Sequence, residues 1–184
     1  MLRACVIMTA MKVIGIAGWS GAGKTTLLTR VIPRLCARGL RVSTIKHAHH
    51  AFDVDQPGKD SHTHRQAGAS EVLVSSANRF ALMHELRGEP ELTLGALLAK
   101  LSPADLVLVE GFKREAHPKL EVYRASVGKP LLAPDDPNIV AIASDGPVAT
   151  RVPVVALDDI EAVADILVAR AAPLDAVMAR VRSA

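Results

Sequence analysis

The sequence predicts an α/β domain with a largely parallel central sheet, and three observations lead to that prediction. Apolar, β-branched runs alternate along the chain with segments of helical periodicity. Hydrophobic residues make up 49% and charged residues 22% of the 184 residues, a composition that excludes disordered and coiled-coil classes. A glycine-rich loop directly follows the first predicted strand, which is where open α/β sheets place their ligands.

Apolar runs account for the predicted strands. Runs without polar residues, such as Leu106–Val109 and Ile139–Ala143, are typical of strands that are covered on both faces. Pro153 precedes the last run and predicts an edge strand, because proline lacks a backbone N–H. The predicted strands are Val13–Ala17, Val42–Ile45, Val72–Ser75, Phe80–His84, Leu106–Val109, Leu120–Tyr123, Ile139–Ala143 and Val154–Ala156, with the third and fourth forming a hairpin.

Helical periodicity marks the segments between the strands. The first helix follows the glycine-rich loop, and its apolar stripe consists of Leu27, Leu28, Val31, Ile32, Leu35 and Cys36. A short helix is predicted over Ser61–Ala67, with Asp60 as its N-cap. Asp158 predicts the start of a later helix, because a glutamate follows three residues on, as in a capping box.

A phosphate-binding loop is predicted between the first strand and the first helix. The residues Gly18, Trp19, Ser20, Gly21, Ala22, Gly23, Lys24 and Thr25 satisfy the pattern G-x-x-x-x-G-K-[ST], and Thr26 follows in the helix as a further nucleotide-binding candidate. Glycines let successive N–H groups and the helix N-terminus point at phosphate oxygens. Lys24 would reach the β- and γ-phosphates, and the Thr25 hydroxyl would bind Mg²⁺. The fold prediction therefore narrows to the three-layer sandwich of P-loop NTPases.

A carboxylate at the end of another buried strand is the second candidate for phosphate chemistry. Glu110 closes the run Leu106–Val109, and parallel strands bring their carboxyl ends to one edge of the sheet. Its carboxylate would hold Mg²⁺ directly or through water, or orient an attacking water. The alternative is a surface glutamate at a strand end. Lys24 and Glu110 are thus the predicted catalytic residues.

Polar residues after the second strand offer further metal ligands. Asp60 is a candidate Mg²⁺ ligand in a switch-like position, alongside Asp53 and Asp55, and the alternative for all three is turn and capping duty. Five of the seven histidines lie between His47 and His64. For these histidines a metal site, contacts to a phosphate ligand and a solvated loop all stay open. No thiolate in this segment completes a transition-metal site.

Two groups near the strand ends are candidates for contacts to other parts of a ligand. Lys113, Arg114 and Lys119 form a basic cluster after Glu110, where a second anionic ligand would sit, and solvated side chains are the alternative. Asp145 follows the run that ends at Ala143. A carboxylate there would accept both N1–H and N2–H of guanine, although a turn-initiating aspartate explains the residue nearly as well.

Charge and composition argue against several classes of partner. The net charge is only +3, without a long basic run, and aromatic residues are 3% of the chain, so we expect no nucleic-acid partner. The two cysteines, Cys5 and Cys36, form no CxxC pair and predict neither a disulfide framework nor a zinc site. This cysteine usage fits a reducing cytoplasm. No apolar stretch reaches 18 residues, so we expect no membrane span.

Several short segments, taken together, are specific to one protein family. They are Ile16–Leu27, Thr44–His50, Pro57–Ser61, Arg65–Ala69, Val109–Lys113 and Pro118–Arg124. In this combination the chain resembles the molybdopterin-guanine dinucleotide biosynthesis protein B (MobB) family over about residues 12 to 168. Trp19 stands where the partitioning ATPases of similar fold carry an extra P-loop lysine. Residues 1–11 are predicted to be an N-terminal extension, and residues 12–184 a single P-loop GTP-binding domain.

The resemblance implies a function as well as a fold. It implies a homodimer that binds GTP with Mg²⁺ and hydrolyses it slowly. The protein would assist a MobA-like nucleotidyltransferase that joins GMP to molybdopterin, and molybdopterin itself is a candidate ligand. The basic positions after Glu110 suit the phosphates of such a ligand.

Two other functions stay open at this point. A small-molecule P-loop kinase would need an arginine-bearing lid, and no arginine-rich insertion is present. A nickel-insertion-type metallochaperone GTPase would use the histidines, but its thiolate motif is missing.

Overall fold

The computed structural model describes residues 10–48 and 52–181. These residues divide into two compact units. The larger unit combines the residues up to His47 with those from Leu94 onward, and the smaller unit lies within Ala48–Thr93. Within the described residues, no helix is long and apolar enough to cross a membrane. The predicted N-terminal extension lies almost entirely outside the described residues.

A parallel sheet forms the centre of the larger unit. Its strands are ordered β2-β5-β1-β6-β7-β8, all parallel, and the short β9 pairs antiparallel with the start of β1. Strand β8 lies at one edge, as Pro153 predicts. The strands are β1 Lys12–Ala17, β2 Val42–Lys46, β3 Glu71–Ser75, β4 Phe80–His84, β5 Leu106–Glu110, β6 Lys119–Tyr123, β7 Ile139–Ser144, β8 Val154–Ala156 and β9 Ala172–Pro173.

Helices cover both faces of this sheet. Helices α1 and α4 pack over Ile14 and Ile16 on one face, whereas α3 and α5 pack over Val13, Val107 and Val109 on the other. The helices are α1 Lys24–Ala37, α2 Asp60–Gln66, α3 Leu94–Leu98, α4 Ile160–Arg170 and α5 Leu174–Val181. The prediction of a three-layer α/β sandwich of the P-loop NTPase type, with a largely parallel sheet, is confirmed.

Two details of the helices differ from the predictions. Cys36 was expected on the buried stripe of α1, but it is exposed, because the buried face of α1 passes through Val31 and Leu35 instead. The N-cap of α4 is Asp159, whose carboxylate accepts a hydrogen bond from the Ala162 N–H. Asp158 is not the cap. It pairs with Arg30 of α1 at 2.7 Å and so ties the two helices together.

The smaller unit is built from α2 and the antiparallel hairpin β3–β4. The hairpin was predicted, and its register pairs Leu73 with Leu82 and Ser75 with Phe80. Asp60 is the first residue of α2 rather than its N-cap, and the preceding Lys59 makes no side-chain capping bond. The expected capping role of Asp60 is therefore wrong.

Arg65 organises the polar part of the smaller unit. Its guanidinium donates to Asp53 at 2.7 Å, to Asp55 at 3.2 Å and to Glu85 at 2.6 Å, and its side chain is only 11% exposed. Hydrogen bonds to Asp53 and Glu85 raise the pKa of Arg65 and keep the guanidinium charged. Asp53 and Asp55 also accept from the N–H groups of Asp55 at 2.8 Å and Gln56 at 3.0 Å, respectively, as in the turn role that was the alternative for them.

Candidate functional site

The candidate site lies at the carboxyl edge of the parallel sheet, where β1 runs into a glycine-rich loop and α1. This strand–loop–helix order is the one that the motif predicted. Gly18, Gly21 and Gly23 have φ angles of 141°, 82° and 92°, which side-chain-bearing residues rarely adopt. A Cβ on Gly18 would lie 2.5 Å from the Val122 carbonyl oxygen of β6, so the loop's start also requires a bare backbone.

Lys24 lies folded over this loop. Its ammonium donates to the carbonyl oxygens of Gly18 at 3.0 Å and Trp19 at 3.1 Å. Partial burial lowers the pKa of Lys24, and the positive charge of Lys113 acts in the same direction. Within the described residues no carboxylate forms an ion pair with this ammonium, and the role of Lys24 at phosphate oxygens stays a prediction.

Thr25 and Glu110 come together across the site. The Thr25 hydroxyl donates to the Glu110 carboxylate at 3.3 Å, because β5 is the immediate neighbour of β1. Lys46, at the end of β2 on the other side of β5, approaches the same carboxylate at 3.9 Å. A hydroxyl and a carboxylate are oxygen ligands of the kind that Mg²⁺ prefers. Lys46 was not among the predicted site residues, although its position at a strand's carboxyl end was a usable signal.

Gly111 allows the chain to leave β5 close to the end of β2. Its φ angle is 99°, and a Cβ there would lie 2.6 Å from the His47 Cβ. Directly after it, Phe112 also has a positive φ angle, 49°, and its ring lies 4.8 Å from the His47 ring. This close crossing holds the Glu110 end of β5 beside β2.

Arg124, at the end of β6, links the loop to the next strand. Its Nε donates to the Ala22 carbonyl oxygen at 3.2 Å, and its Nη1 lies 3.5 Å from the Asp145 carboxylate. The other Asp145 oxygen accepts from the Ala125 N–H at 3.3 Å. Asp145 therefore joins the candidate site through Arg124, a residue that the sequence reasoning did not select. Both contacts of Asp145 are long, and its side chain is 29% exposed.

The basic cluster predicted after Glu110 is only partly correct. Lys119 is 1% exposed and pairs with Asp136 at 2.8 Å, because it points from β6 into the face that the loop before β7 covers. It therefore cannot serve an exposed anion site. Lys113 instead lies over the ring of Trp19, with its ammonium 4.9 Å from the ring centroid, and Arg114 is exposed.

The remaining candidates are spread over both units. Ser20 and Thr26 are exposed at the loop and in the first turn of α1. Asp60 belongs to the smaller unit, and its role as an Mg²⁺ ligand stays a prediction. His49 and His50 lie outside the described residues. Across residues 10–48 and 52–181, no group of three or more His, Cys, Asp or Glu side chains is arranged to hold a metal.

Comparison with known proteins places the chain in a family. The family sequence model named Molybdopterin guanine dinucleotide synthesis protein B (MobB) matches residues 13–145. This range includes the glycine-rich loop, Glu110, Arg124 and Asp145. The chain belongs to the MobB family. The resemblance inferred from its sequence segments is thereby confirmed.

Named relatives agree with this assignment to MobB. The molybdopterin-guanine dinucleotide biosynthesis adapter protein of Escherichia coli (strain K12) is 45% identical over 163 residues, which cover 87% of this chain and 93% of that protein. The molybdopterin-guanine dinucleotide biosynthesis adapter protein of Haemophilus influenzae is 41% identical over 154 residues, which cover 84% of this chain and 86% of that protein. A crystal structure of molybdopterin-guanine biosynthesis protein B (mobB) superposes with a TM-score of 0.68 at 28% identity, covering 85% of this chain and 98% of that one.

Proposed function

We propose that this MobB-family chain binds GTP with Mg²⁺ at residues Gly18 to Thr26. The observation that carries the proposal is the contact between the Thr25 hydroxyl and the Glu110 carboxylate. This contact lies beside the P-loop, where the Lys24 ammonium has no carboxylate partner among the described residues. Lys24 holds the β- and γ-phosphates, while Thr25 and Glu110 hold the metal directly or through water. This arrangement supplies the charge and ligands that a Mg-nucleotide needs.

Hydrolysis of the bound GTP is slow in this proposal. P-loop catalysis depends on positioning, and fast turnover usually requires an arginine at the transferred phosphate. The sequence offers Arg65 and Arg114 as candidates, but the Arg65 guanidinium is held by three carboxylates of its own unit. Binding of GTP, rather than its rapid turnover, is accordingly the main event at this site.

We further propose that the chain acts as an adapter for a MobA-like nucleotidyltransferase that makes molybdopterin-guanine dinucleotide. The Escherichia coli and Haemophilus influenzae relatives are named as adapter proteins of molybdopterin-guanine dinucleotide biosynthesis, which supports this role. Molybdopterin is a candidate ligand, and the half-buried Lys113 and the exposed Arg114 would face its phosphate. We place the chain in the cytoplasm, where a free, exposed thiol such as Cys36 is maintained.

A reconstituted cofactor assay tests the adapter function. The parent chain with Mg-GTP should raise the yield of guanine dinucleotide cofactor formed by a MobA-like enzyme that carries molybdopterin. Lys24→Ala and Glu110→Gln should each reduce that gain about tenfold or more, because the phosphate contact or the metal ligand is lost. Lys100→Ala, an exposed lysine at the end of α3, serves as the matched control. Equal yields with all variants and with no added protein would defeat the proposal, and rapid phosphate transfer to a small metabolite would favour the kinase.

Asp145 is proposed to read the guanine base. Asp145→Asn should lower the preference for GTP over ATP about tenfold, because the amide presents a donor where guanine also donates. The measurement is the ratio of the two dissociation constants by titration calorimetry. Asp175→Asn, which removes the same charge from an exposed position on α5, should leave the ratio as in the parent. An unchanged ratio in Asp145→Asn would leave Asp145 with its structural contacts alone.

A homodimer is proposed to form through the hairpin of the smaller unit. Leu73, Phe80 and Leu82 lie on one face of β3–β4 and are 62%, 70% and 50% exposed. A two-stranded hairpin is marginally stable by itself, and a second copy of the chain would cover this face and its open edges. Light scattering should give twice the mass of one chain. Leu82→Glu should yield monomers. The control Asn78→Glu, in the hairpin turn, should stay dimeric. A parent chain that is monomeric would contradict the proposed dimer.

A further inference from the structure

Trp19 forms a platform that two lysines share. The Lys113 ammonium lies 4.9 Å and the Lys129 ammonium 5.9 Å from the centroid of its ring. Lys113 comes from the segment after Glu110, and Lys129 from the loop that follows β6. A cation–π contact with a partly exposed ring is a weak interaction. Two like charges are therefore gathered at one ring by contacts that are individually weak.

The loop that carries Lys129 is anchored at several points directly after the lysine. The Trp19 Nε1–H donates to the Pro130 carbonyl oxygen at 2.8 Å, directly after Lys129. Farther along, the Glu121 carboxylate accepts from the N–H groups of Leu132 at 2.7 Å and Ala133 at 3.0 Å. Glu121 is fully buried, so its carboxylate is committed to holding this loop. Lys129 is accordingly held beside Trp19 by the fold.

In the part of the chain that the structure describes, Lys113 and Lys129 at Trp19 have no carboxylate partner. Among the described residues, neither Lys113 nor Lys129 forms an ion pair, whereas Lys46 already approaches Glu110. Lys113 is also close enough to Lys24 for the two charges to repel each other. A bound nucleotide would satisfy Lys24 in the P-loop. The two lysines at Trp19 still present ammonium donors that no carboxylate occupies.

We propose that Lys113 and Lys129, placed on the Trp19 ring, form a second anion subsite next to the P-loop that takes a phosphate group of a ligand other than the nucleotide. The proposal deepens the proposed function and rests on it for the neighbouring GTP. Lys113 contacts the Trp19 ring and its charge also acts on Lys24 of the P-loop, so the two anion sites would lie next to each other. Such a subsite would hold a phosphorylated reactant within reach of the nucleotide, which a protein that only hydrolyses GTP would not require.

Trp19 is the only tryptophan of the chain, so its fluorescence reports directly on this subsite. In the first experiment inorganic phosphate is titrated into Lys24→Ala at constant ionic strength, where the main P-loop cation is absent. We expect a saturable change in Trp19 fluorescence, with the same affinity by calorimetry. Adding Lys129→Ala should weaken phosphate binding about fivefold or more, whereas adding Lys100→Ala should not change it.

A second experiment separates this subsite from the nucleotide site. The parent chain is saturated with Mg-GTP and then titrated with inorganic phosphate. Retained phosphate binding supports a separate subsite, and loss of binding would show that phosphate competes for the nucleotide site and would overturn the proposal. Phosphate affinity that is equal with and without Lys129→Ala, or no saturable binding to Lys24→Ala, would also overturn it. Should GTP itself fail to bind, the proposed function fails, and the Lys24→Ala titration still decides the subsite.

Discussion

Lys24→Ala is expected to lower the affinity for GTP about 100-fold or more while the chain stays folded. The Lys24 ammonium makes its two hydrogen bonds to loop carbonyls, so its loss removes little packing from the core. Its contacts to the nucleotide would be charge-assisted, and losing about 3 kcal/mol of them corresponds to roughly a hundredfold in affinity. Titration calorimetry with Mg-GTP measures the loss.

Two further measurements make the Lys24 result specific. Lys100→Ala removes an equal charge from an exposed site and should bind GTP like the parent. Thermal unfolding of Lys24→Ala should give a midpoint close to that of the parent. A Lys24→Ala chain that retains the parent's affinity would remove the P-loop assignment, because the lysine would then contribute nothing to phosphate binding.

The chain is expected to lose stability as the pH falls from about 6.5 to 4, and His117 is the cause. Its side chain is fully buried, and neither ring nitrogen has a hydrogen-bond partner among the described residues. Burial, assisted by the charge of Lys119, lowers the pKa of His117 to about 4. The unfolded chain binds a proton near pH 6.5 and the folded chain does not, so acid favours unfolding. Between pH 7 and 4.5 this costs about 2 kcal/mol.

The His117 effect is isolated by comparing variants rather than by the parent alone. Urea unfolding at pH 7 and pH 4.5 gives the free energy of unfolding of the parent, of His117→Leu and of the exposed-histidine control His64→Leu. His117→Leu should lose about 2 kcal/mol less than the parent on acidification, and His64→Leu should behave like the parent. Burial raises the pKa of Glu121, which acts in the opposite sense in this range, but equally in all three proteins. Identical pH dependence in His117→Leu and the parent would refute the assignment.

Gly15, which has no side chain, leaves room for the His117 ring. A Cβ on Gly15 of β1 would overlap the His117 ring, so the ring lies directly on the strand. Periodicity alone did not select either residue, because a histidine in a polar segment of the sequence gives no sign of burial. The segment that contains His117 connects β5 to β6. It packs onto β1 because β1 lies between these two strands in the sheet.

Local patterns were sufficient where a residue's neighbours in sequence decide its environment. The strands, the hairpin turn and the strand–loop–helix unit around Lys24 depend on apolar runs, on turn residues and on glycines within a few positions of one another. Glu110 was also predictable, because it closes an apolar strand and the carboxyl ends of parallel strands meet at one edge. Its contact with Thr25 follows from the pairing of β1 with β5.

Charged residues whose surroundings come from distant segments were not predictable in the same way. Lys119 was a candidate for an anion site, with a solvated side chain as the alternative, yet it is buried and pairs with Asp136. Arg65 was a candidate for catalysis, yet carboxylates 10 to 20 residues away in sequence occupy its guanidinium. From the neighbouring sequence alone, both side chains are expected to be exposed. A charged side chain is buried where the folded chain brings a partner to it, and the local sequence does not show that partner.

The fold class, the glycine-rich loop between β1 and α1 and the family follow from the sequence, since they depend on short-range spacing and on the order of elements along the chain. The surroundings of the cations depend on the folded chain. It joins Arg124 to the Ala22 carbonyl and gathers Lys113 and Lys129 on Trp19, while it withdraws Lys119 into the interior. Contacts such as that of Arg124 with Ala22 and that of Trp19 with Pro130 join positions 102 and 111 residues apart in sequence, and the sheet order β5-β1-β6 brings such positions together.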